Sequence, residues 1–412
     1  MTILDDAHAL AGDLIELRHR LHRRPETGLD LPRTQEKVLK AIDGLGLEVS
    51  TGRSSTSVTA VLRGRARNRN TPTVLLRGDM DALPVQEETD LPFRSEVDGV
   101  MHACGHDLHT AMLVGAAHLL AGRRDTLAGD VVLMFQPGEE GFDGAGHMIT
   151  EGVLDAAGRR PDAAFALHVL SNLTGRGTVA SRPGPIMSAS DGLFVTVRGR
   201  GGHGATPHVT RDPIPAACEM VLALQTAMAR GLDAFAPAVL TVGTLHAGTK
   251  RNVIPDTATI EATVRTFSPA VRETIAGLVT RVCHGVASAH GVDADVRFES
   301  EYPVTVNDAG SVRFAFGVAT DLFGPGAAVT LPNPLGGSED FSRVLAEVPG
   351  AMLFLGALAD GQEASTAAGN HSPRAVFDDG VLPLGAALYS ALAERQLAKR
   401  QLAAKKPAAP TA

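Results

Sequence analysis

Residues 131–141 read Val-Val-Leu-Met-Phe-Gln-Pro-Gly-Glu-Glu-Gly, an apolar pentapeptide that is closed by Pro137-Gly138 and followed by two glutamates. Such a run, ended by a turn dipeptide, is typical of a strand that a sheet buries on both faces. Phe165–Val169 has the same character. Strand and helix patterns alternate through this region, so the sequence predicts an α/β fold with a layered catalytic domain on a mixed sheet.

A different pattern fills the middle of the chain, after the Pro- and Gly-rich residues 181–185. Its predicted elements follow the order β-α-β-β-α-β of a ferredoxin-like unit. They lie at Leu193–Val197, Ile214–Ala229, Val239–Leu245, Thr257–Thr266, Pro269–Ser288 and Ala294–Phe298. Because the earlier pattern resumes afterwards, we expect an inserted domain at 187–300 within a catalytic domain of 1–186 and 301–397. The Ala-, Lys- and Pro-rich residues 398–412 are predicted to be a disordered tail.

Length and composition narrow the function classes. The 412 residues exceed one ordinary core, which favours two domains. A net charge of -8 without a basic stretch in the folded region argues against nucleic-acid binding, and the apolar runs are too short to span a membrane. Asp5 and Asp6 stand where a signal peptide needs Lys or Arg, so we expect a cytoplasmic protein. Cys218 and Cys283 lie in apolar helical patterns and are predicted to be core residues.

The densest group of potential metal ligands is Met-His-Ala-Cys-Gly-His-Asp-Leu-His-Thr at residues 101–110. Cysteine thiolate and neutral imidazole both bind zinc-like or manganese-like ions, and Gly105 allows Cys104 and His106 to aim at one point. The alternative is a helix start that is capped by Asp107 and carries solvated histidines.

Further candidates follow predicted strands. Glu139 and Glu140 can divide the roles of general base and metal ligand, although glutamate pairs are also common at exposed turns. His168 lies in an apolar strand, where a histidine is more often a core residue than a ligand. Asn370-His371-Ser372-Pro373 taken alone is an ordinary turn.

The combination of these residues favours a metal centre. Five donors lie in loops or at strand ends of the predicted catalytic domain, and none lies in the predicted insertion: Cys104, His106, Glu140, His168 and His371. Five donors exceed the needs of one tetrahedral zinc and suit two divalent metals that keep open positions for water.

Seven motifs follow one another along the chain. They are Arg-Gly-Asp-Met-Asp-Ala-Leu-Pro at 77–84, the histidine cluster at 102–110, Phe-Gln-Pro-Gly-Glu-Glu at 135–140, Gly-Gly-His-Gly-Ala-Thr-Pro-His at 201–208, Asn-Val-Ile-Pro-Asp at 252–256, Gly-Ser-Glu-Asp-Phe at 337–341 and Asn-His-Ser-Pro at 370–373. With them, residues 17–392 resemble the amidohydrolase branch of the aminoacylase/carboxypeptidase superfamily of metallohydrolases. That branch includes hippurate hydrolases, N-acyl-amino-acid amidohydrolases and auxin-conjugate hydrolases.

The resemblance implies a role for each candidate. The five donors would bind two divalent metals per subunit, in the first place Mn²⁺ or Zn²⁺, with Co²⁺ or Ni²⁺ as alternatives, and Glu139 would be the general acid/base. The inserted domain would be lid and dimer interface, with His203 steadying the oxyanion in the partner's site and Asn252 contacting substrate. Other branches carry His-x-Asp where this chain has Asp79-Met80-Asp81. Asp79 and Asp81 are therefore interpreted as supports that orient the ligands by hydrogen bonds.

The expected function is hydrolysis of the amide bond of small N-acyl amino acids, such as N-acetyl or N-benzoyl derivatives, by a homodimer. A metallo-di- or carboxypeptidase and a biosynthetic N-acetyl deacetylase remain alternatives. A non-catalytic metal- or ligand-binding protein on the same scaffold is disfavoured, because such proteins usually lose the base or a ligand and this chain keeps both.

Overall fold

The computed structural model describes residues 2–66 and 71–404. The chain forms two compact units. Unit 1 takes the described residues of Met1–Gly184, Val306–Pro332 and Arg343–Ala412, and unit 2 takes Pro185–Thr305 and Asn333–Ser342.

The α-helices of the described residues are α1 (Ile3–Ala9), α2 (Ala11–Arg23), α3 (Pro32–Ile42), α4 (His106–Gly122), α5 (Gly144–Thr150), α6 (Pro213–Gly231), α7 (Pro269–His290), α8 (Ala309–Phe323), α9 (Phe341–Glu347) and α10 (Leu382–Ala404). The strands are β1 (Glu48–Thr51), β2 (Val58–Arg63), β3 (Thr73–Asp79), β4 (Asp130–Gln136), β5 (Ala163–Leu170), β6 (Val179–Ser181), β7 (Gly184–Met187), β8 (Ala189–Arg198), β9 (Gly202–His203), β10 (Ala238–Ala247), β11 (Val253–Ile254), β12 (Thr257–Thr266), β13 (Asp293–Tyr302), β14 (Thr305–Asn307), β15 (Ala328–Thr330) and β16 (Gly350–Gly356). None of the helices within residues 2–66 and 71–404 has the length and apolar character needed to cross a membrane.

Unit 1 is built on an eight-stranded sheet with the order β1-β2-β4-β3-β5-β16-β6-β15. Strands β4, β3, β5 and β16 run parallel, whereas β2 is antiparallel to β4 and β6 is antiparallel to β16. The sheet is therefore mixed, and helices pack against it, which confirms the predicted α/β fold class.

The central strands explain where polar side chains can gather. Every residue of β3, β4 and β16 is buried, as expected for apolar strands covered on both faces. Helices α4 and α10 supply much of the core that covers them, through residues such as Leu113 and Leu388. Because the four central strands are parallel, their carboxyl ends meet at one edge of the sheet, the position where sites form in α/β folds.

Unit 2 contains a four-stranded antiparallel sheet with the order β10-β12-β8-β13. In chain order the elements are β8-α6-β10-β12-α7-β13, which is the predicted ferredoxin-like arrangement. Val195 and Ile260 of the sheet share one apolar core with Met220 of α6 and Ile275 of α7. One face of the sheet is thus covered by both helices.

Two expectations need correction. Cys283 is buried as predicted, but Cys218 is exposed. Helix α6 carries apolar residues on more than one face and buries the face with Ala217 and Met220, so an apolar pattern alone did not identify the buried side. The predicted tail also begins too early, because α10 continues through Ala404 in a segment of good helix formers, while 405–412 lie outside the described residues.

Candidate metal centre

The five predicted donors converge in unit 1. Cys104 Sγ lies 3.4 Å from His168 Nε2 and 3.3 Å from His371 Nε2. His371 Nε2 lies 3.3 Å from Glu140 Oε1, and that oxygen lies 3.9 Å from His106 Nε2. The donor atoms form two overlapping sets, Cys104 with His106 and His168, and Cys104 with Glu140 and His371, each within 4.8 Å. The thiol is common to both sets, so the donors surround two neighbouring positions.

The turn before α4 brings Cys104 and His106 together. Gly105 has a left-handed backbone (φ +86°), and a Cβ there would lie 2.4 Å from Cγ2 of Val169. Glycine is therefore required both by the conformation and by the close approach of β5. The same turn starts the helix at His106, which places its imidazole at the carboxyl edge of the sheet.

A loop after β16 delivers the fifth donor. His371 has a positive φ of 70°, which is uncommon for a residue with a side chain, and its N–H donates to the carbonyl of Ala103 at 2.9 Å. Asn370 Nδ2 donates to the carbonyls of Cys104 (3.1 Å) and Val169 (2.9 Å). The loop is thus tied to two segments that carry other donors, and the strained backbone is held where the histidine faces the thiol.

The charges in this cluster suit a bound cation. His106 Nε2 is buried and makes no hydrogen bond of ordinary geometry to any described residue, yet oxygens of Asp79, Glu140 and Glu139 lie 3.6, 3.9 and 4.0 Å away. Hydrogen bonds with Cys104 and then Glu140 raise the pKa of His371 to about 10. Burial, with Glu140 nearby, raises the pKa of the Cys104 thiol. Thiol, imidazole and carboxylate groups at such short separations fit divalent metals, which bind their deprotonated or neutral forms.

Glu139 is buried beside the five donors and belongs to neither of the two sets that share Cys104. Its backbone N–H donates to Asp81 at 3.0 Å, and the N–H of Glu140 donates to the other oxygen of Asp81 at 3.1 Å. Asp81 therefore fixes the loop that carries both glutamates. Asp79 accepts from the guanidinium of Arg77 at 2.5 Å, and its other oxygen lies 2.5 Å from His109 Nδ1. Burial would raise the pKa of Asp79, but Arg77 and then His106 outweigh it and hold that pKa well below its usual range.

Sequence reasoning missed a buried ionic network behind the turn. The Arg18 guanidinium donates to Asp107 at 3.0 Å and to Asp379 at 2.6 Å, and His22 Nδ1 lies 2.9 Å from Asp107. Arg18 and Asp107 are both fully buried. The sequence did contain a sign of this network. Arg18 lies four residues after Leu14 and therefore on the apolar face of α2, where a charged side chain needs a buried partner of opposite charge.

The two predicted lid residues lie in unit 2. β9 and β11 form a two-stranded ribbon that pairs His203 with Val253, and the N–H of Gly204 donates to the carbonyl of Asn252 at 2.9 Å. His203 and Asn252 are exposed. The N–H of Ala205 donates to His203 Nδ1 at 3.1 Å, which leaves the ring proton of the neutral histidine on Nε2.

Comparison with known protein families shows to which family the chain belongs. The profile of peptidase family M20/M25/M40 matches residues 75–395, which include all five donors and both lid residues. The chain belongs to this family. Within it the chain is a metal-dependent amidohydrolase of the amidohydrolase branch, as its motifs predicted.

Individual relatives cover nearly the whole chain. Thermostable carboxypeptidase 2 of Saccharolobus solfataricus is 37% identical over 393 residues, 94% of this chain and 96% of its own length. N-acetyl-L-cysteine deacetylase of Bacillus subtilis is 38% identical over 350 residues, 84% of this chain and 81% of its own length. The crystal structure of a dinuclear metal-binding peptidase of the M20 family from Bacillus subtilis superposes with a TM-score of 0.80 at 32% identity, covering 95% of this chain and 99% of that one.

Proposed function

We propose that the chain hydrolyses the amide bond of small N-acyl amino acids with two divalent metals held by Cys104, His106, Glu140, His168 and His371. The observation that carries the proposal is the convergence of these donors in two overlapping sets that share one thiol, with the carboxylate of Glu139 next to them. Soft thiolate and imidazole donors favour Zn²⁺, while the carboxylates also suit Mn²⁺. The names of the relatives, a deacetylase and a carboxypeptidase, support an amide as the substrate bond.

Glu139 would be the general acid/base. Metals bound at the donor sets would polarise the substrate carbonyl and lower the pKa of a water molecule. Glu139 would accept the proton of the water whose oxygen attacks the carbonyl carbon. The same carboxyl group would pass the proton to the amide nitrogen as the C–N bond breaks, leaving a carboxylic acid and an amino acid. Its burial and the anchoring of its loop by Asp81 support this role, because both restrict where the carboxylate can point.

His203 would donate a hydrogen bond to the tetrahedral oxyanion, and Asn252 would contact the substrate. The tautomer that Ala205 imposes leaves a proton on Nε2 of His203, which is the donor that an oxyanion needs. The exposure of His203 and Asn252 within unit 2 leaves both free to reach a ligand.

A panel of substrates tests the proposal. Metal-free protein would be loaded separately with Mn²⁺, Zn²⁺, Co²⁺ and Ni²⁺, and hydrolysis of N-acetyl amino acids, N-benzoyl amino acids and dipeptides would be measured. We expect metal-dependent release of amino acid from the N-acyl substrates. A clear preference for dipeptides would favour the second candidate, a metallo-di- or carboxypeptidase, which the name of one 37% identical relative supports. No hydrolysis of any amide by metal-loaded protein would contradict both.

We also propose a homodimer through unit 2. β10 is an edge strand of the four-stranded sheet, and it exposes Val239 by 50%. Leu222 of α6 is 70% exposed, and Gln225 on the same helix donates to the carbonyl of Leu240 in β10 at 3.3 Å, so the two exposed surfaces adjoin. A twofold axis beside β10 would pair the two edge strands and bury these apolar side chains.

Sedimentation measurements check the dimer. The wild-type protein should sediment as a dimer, and Leu222→Glu should shift it towards monomer because it would place charges in the interface. Val49→Glu, on an exposed strand of unit 1, is the matched control and should leave the dimer intact. A wild-type monomer, or equal behaviour of both variants, would contradict this interface.

A further inference from the structure

Strands β3 and β5 lie side by side and yet separate before either strand ends. Their parallel pairing runs from Val74 with Ala163 to Arg77 with Ala166 and stops there. Each strand stays paired with its other neighbour well beyond this point, β3 with β4 as far as Asp79, and β5 with β16 as far as Leu170. Among β4, β3, β5 and β16 the sheet is therefore continuous on both sides and opens between β3 and β5.

A tyrosine hydroxyl occupies the first position of the opening. In a parallel ladder each residue bonds to the residues on either side of its partner, so the N–H of Leu167 would next donate to the carbonyl of Arg77. Instead, that N–H donates to the hydroxyl of Tyr389 at 2.8 Å, and the hydroxyl donates to the carbonyl of Arg77. One oxygen atom, supplied by α10, thus bridges the two backbone groups.

An imidazole ring occupies the next position, two residues farther along each strand. The N–H of Val169 donates to Nε2 of His109 at 2.7 Å, and Nδ1 of His109 donates to the carboxylate of Asp79 at 2.5 Å. The backbone carbonyl of Asp79 accepts from the hydroxyl of Thr110 at 2.8 Å. A single oxygen atom of Tyr389 bridges the strands at the first position, whereas a five-membered ring bridges them here. The opening therefore widens towards the carboxyl edge of the sheet.

Four backbone groups released by the separation have a partner from α4 or α10: the N–H groups of Leu167 and Val169 and the carbonyls of Arg77 and Asp79. Buried N–H and C=O groups are costly without hydrogen bonds, so strands that diverge in a core need such substitutes. The substitutes also have a definite size, since a hydroxyl and a ring hold the strands at different distances. His168 lies between Leu167 and Val169, the two residues whose N–H groups are held. Asp79, on the opposite strand, lies 3.6 Å from His106.

We propose that Tyr389 and His109 are positioning residues that act as spacers between β3 and β5, and that they set where His168 lies relative to Cys104 and His106. This inference rests on the proposed metal centre, because it concerns the geometry of one of its donor sets. Both residues are fully buried, and they would act through the strands that carry the donors. Without the hydroxyl of Tyr389, Leu167 and Arg77 can bond directly, which moves His168 towards β3.

Cobalt binding tests the spacers, because the visible spectrum of bound Co²⁺ reports the geometry and identity of its ligands. Metal-free wild-type protein, Tyr389→Phe and His109→Gln would be titrated with Co²⁺. Tyr389→Phe keeps the ring and removes only the bridging oxygen. We expect it to remain folded, to bind Co²⁺ about 10- to 100-fold more weakly and to show an altered spectrum, as for other changes to groups that orient metal ligands.

His109 offers a conservative rescue. Glutamine, like the neutral histidine, has one acceptor and one donor group for Val169 and Asp79, whereas leucine has neither. His109→Gln should therefore keep more of the wild-type spectrum and affinity than His109→Leu. Two matched controls should leave Co²⁺ binding unchanged: Tyr302→Phe, which alters a buried tyrosine of unit 2, and His118→Leu, which alters a histidine of the same helix α4 that contacts the carbonyl of Ala41 at 2.9 Å.

The outcomes separate the spacer role from the metal centre itself. Wild-type protein that binds no Co²⁺ would contradict the proposed centre. Wild-type protein that binds two Co²⁺, together with Tyr389→Phe that has the wild-type spectrum and affinity, would overturn the spacer role alone. If His109→Leu does not fold, the Co²⁺ affinity and spectrum of Tyr389→Phe alone test the spacer role. If Tyr389→Phe lowers the melting temperature but leaves the cobalt spectrum unchanged, the Tyr389 hydroxyl only stabilises the fold. That result would also overturn the inference.

Discussion

The donor cluster of unit 1 and the ribbon of unit 2 are held in opposite ways. Cys104, His106 and His168 are buried, and His168 lies 64 residues along the chain from Cys104. Asn370 ties both segments together through hydrogen bonds to the carbonyls of Cys104 and Val169. His203 and Asn252 are exposed and are held by bonds to residues nearby on the ribbon. The cluster is thus preorganised by its own unit, whereas the ribbon presents His203 and Asn252 at the surface. Changes to the cluster should therefore affect metal binding or folding, and changes to the ribbon should affect turnover alone.

The largest expected effect is on the base. Glu139→Gln removes the proton acceptor but keeps the shape of the side chain and the backbone bond to Asp81. Turnover should fall by about 10²- to 10⁴-fold while the metal content stays at the wild-type value. The same change at the next residue is the control, because Glu140→Gln removes a proposed ligand and should lower metal content. Wild-type turnover in Glu139→Gln would show that another group is the base.

The buried network behind the cluster should matter next most, through stability. Arg18→Met leaves Asp107 buried without its main counter-charge, which should cost about 3–5 kcal/mol of unfolding free energy. Burial alone would raise the pKa of Asp107, but Arg18 and then His22 hold it far below its usual range. Urea denaturation of the metal-free protein measures the effect. Arg20→Met is the control, since Arg20 is an exposed residue of the same helix whose ion pair with Glu16 spans 3.8 Å and should contribute about 0–1 kcal/mol. Equal losses in both variants would argue against the network.

The ribbon provides the third test. His203→Ala should lower kcat by about 10²- to 10³-fold, the usual cost of losing one donor to an oxyanion, with no change in metal content or melting temperature. His208→Ala, an exposed histidine five residues later, is the matched control. A loss of bound metal in His203→Ala would contradict the contrast between the two regions.

The smallest expected effect is the change of metal affinity with each pH unit. In the metal-free protein the raised pKa of His371, about 10, and the raised pKa of Cys104 keep protons on atoms that must bind metal. Below these pKa values a metal must displace the protons, so the apparent affinity should fall about tenfold per pH unit for each proton released. Calorimetry in buffers of different ionisation enthalpy counts those protons. Metal binding without proton release at pH 7 would contradict the proton-holding donors.

The buried strands and the donor cluster could be predicted from the sequence because both depend on local patterns. Apolar runs such as Val131–Phe135 identified the buried strands, and donor residues at strand ends identified the cluster, since parallel strands bring their ends together. Partners across the core escaped prediction. Tyr389 lies 312 residues from Arg77, and nothing local shows that α10 packs where its hydroxyl meets that carbonyl.

His109 escaped prediction for a related reason. It shares one motif with His102 and His106. Because every histidine can bind a metal, the sequence alone does not show which of the three does. Only the packed structure shows that both ring nitrogens of His109 are engaged by Val169 and Asp79, whereas His106 faces Glu140. The exposure of Cys218 likewise depended on which face of α6 meets the sheet.

The most direct test of the account is a crystal structure of the protein loaded with Mn²⁺, with anomalous scattering recorded to locate the metal. We expect two peaks, one bound by Cys104, His106 and His168 and the other by Cys104, Glu140 and His371, with the Glu139 carboxylate near both. Peaks remote from Cys104 and His371, or a single metal that leaves either of these residues unbound, would contradict it.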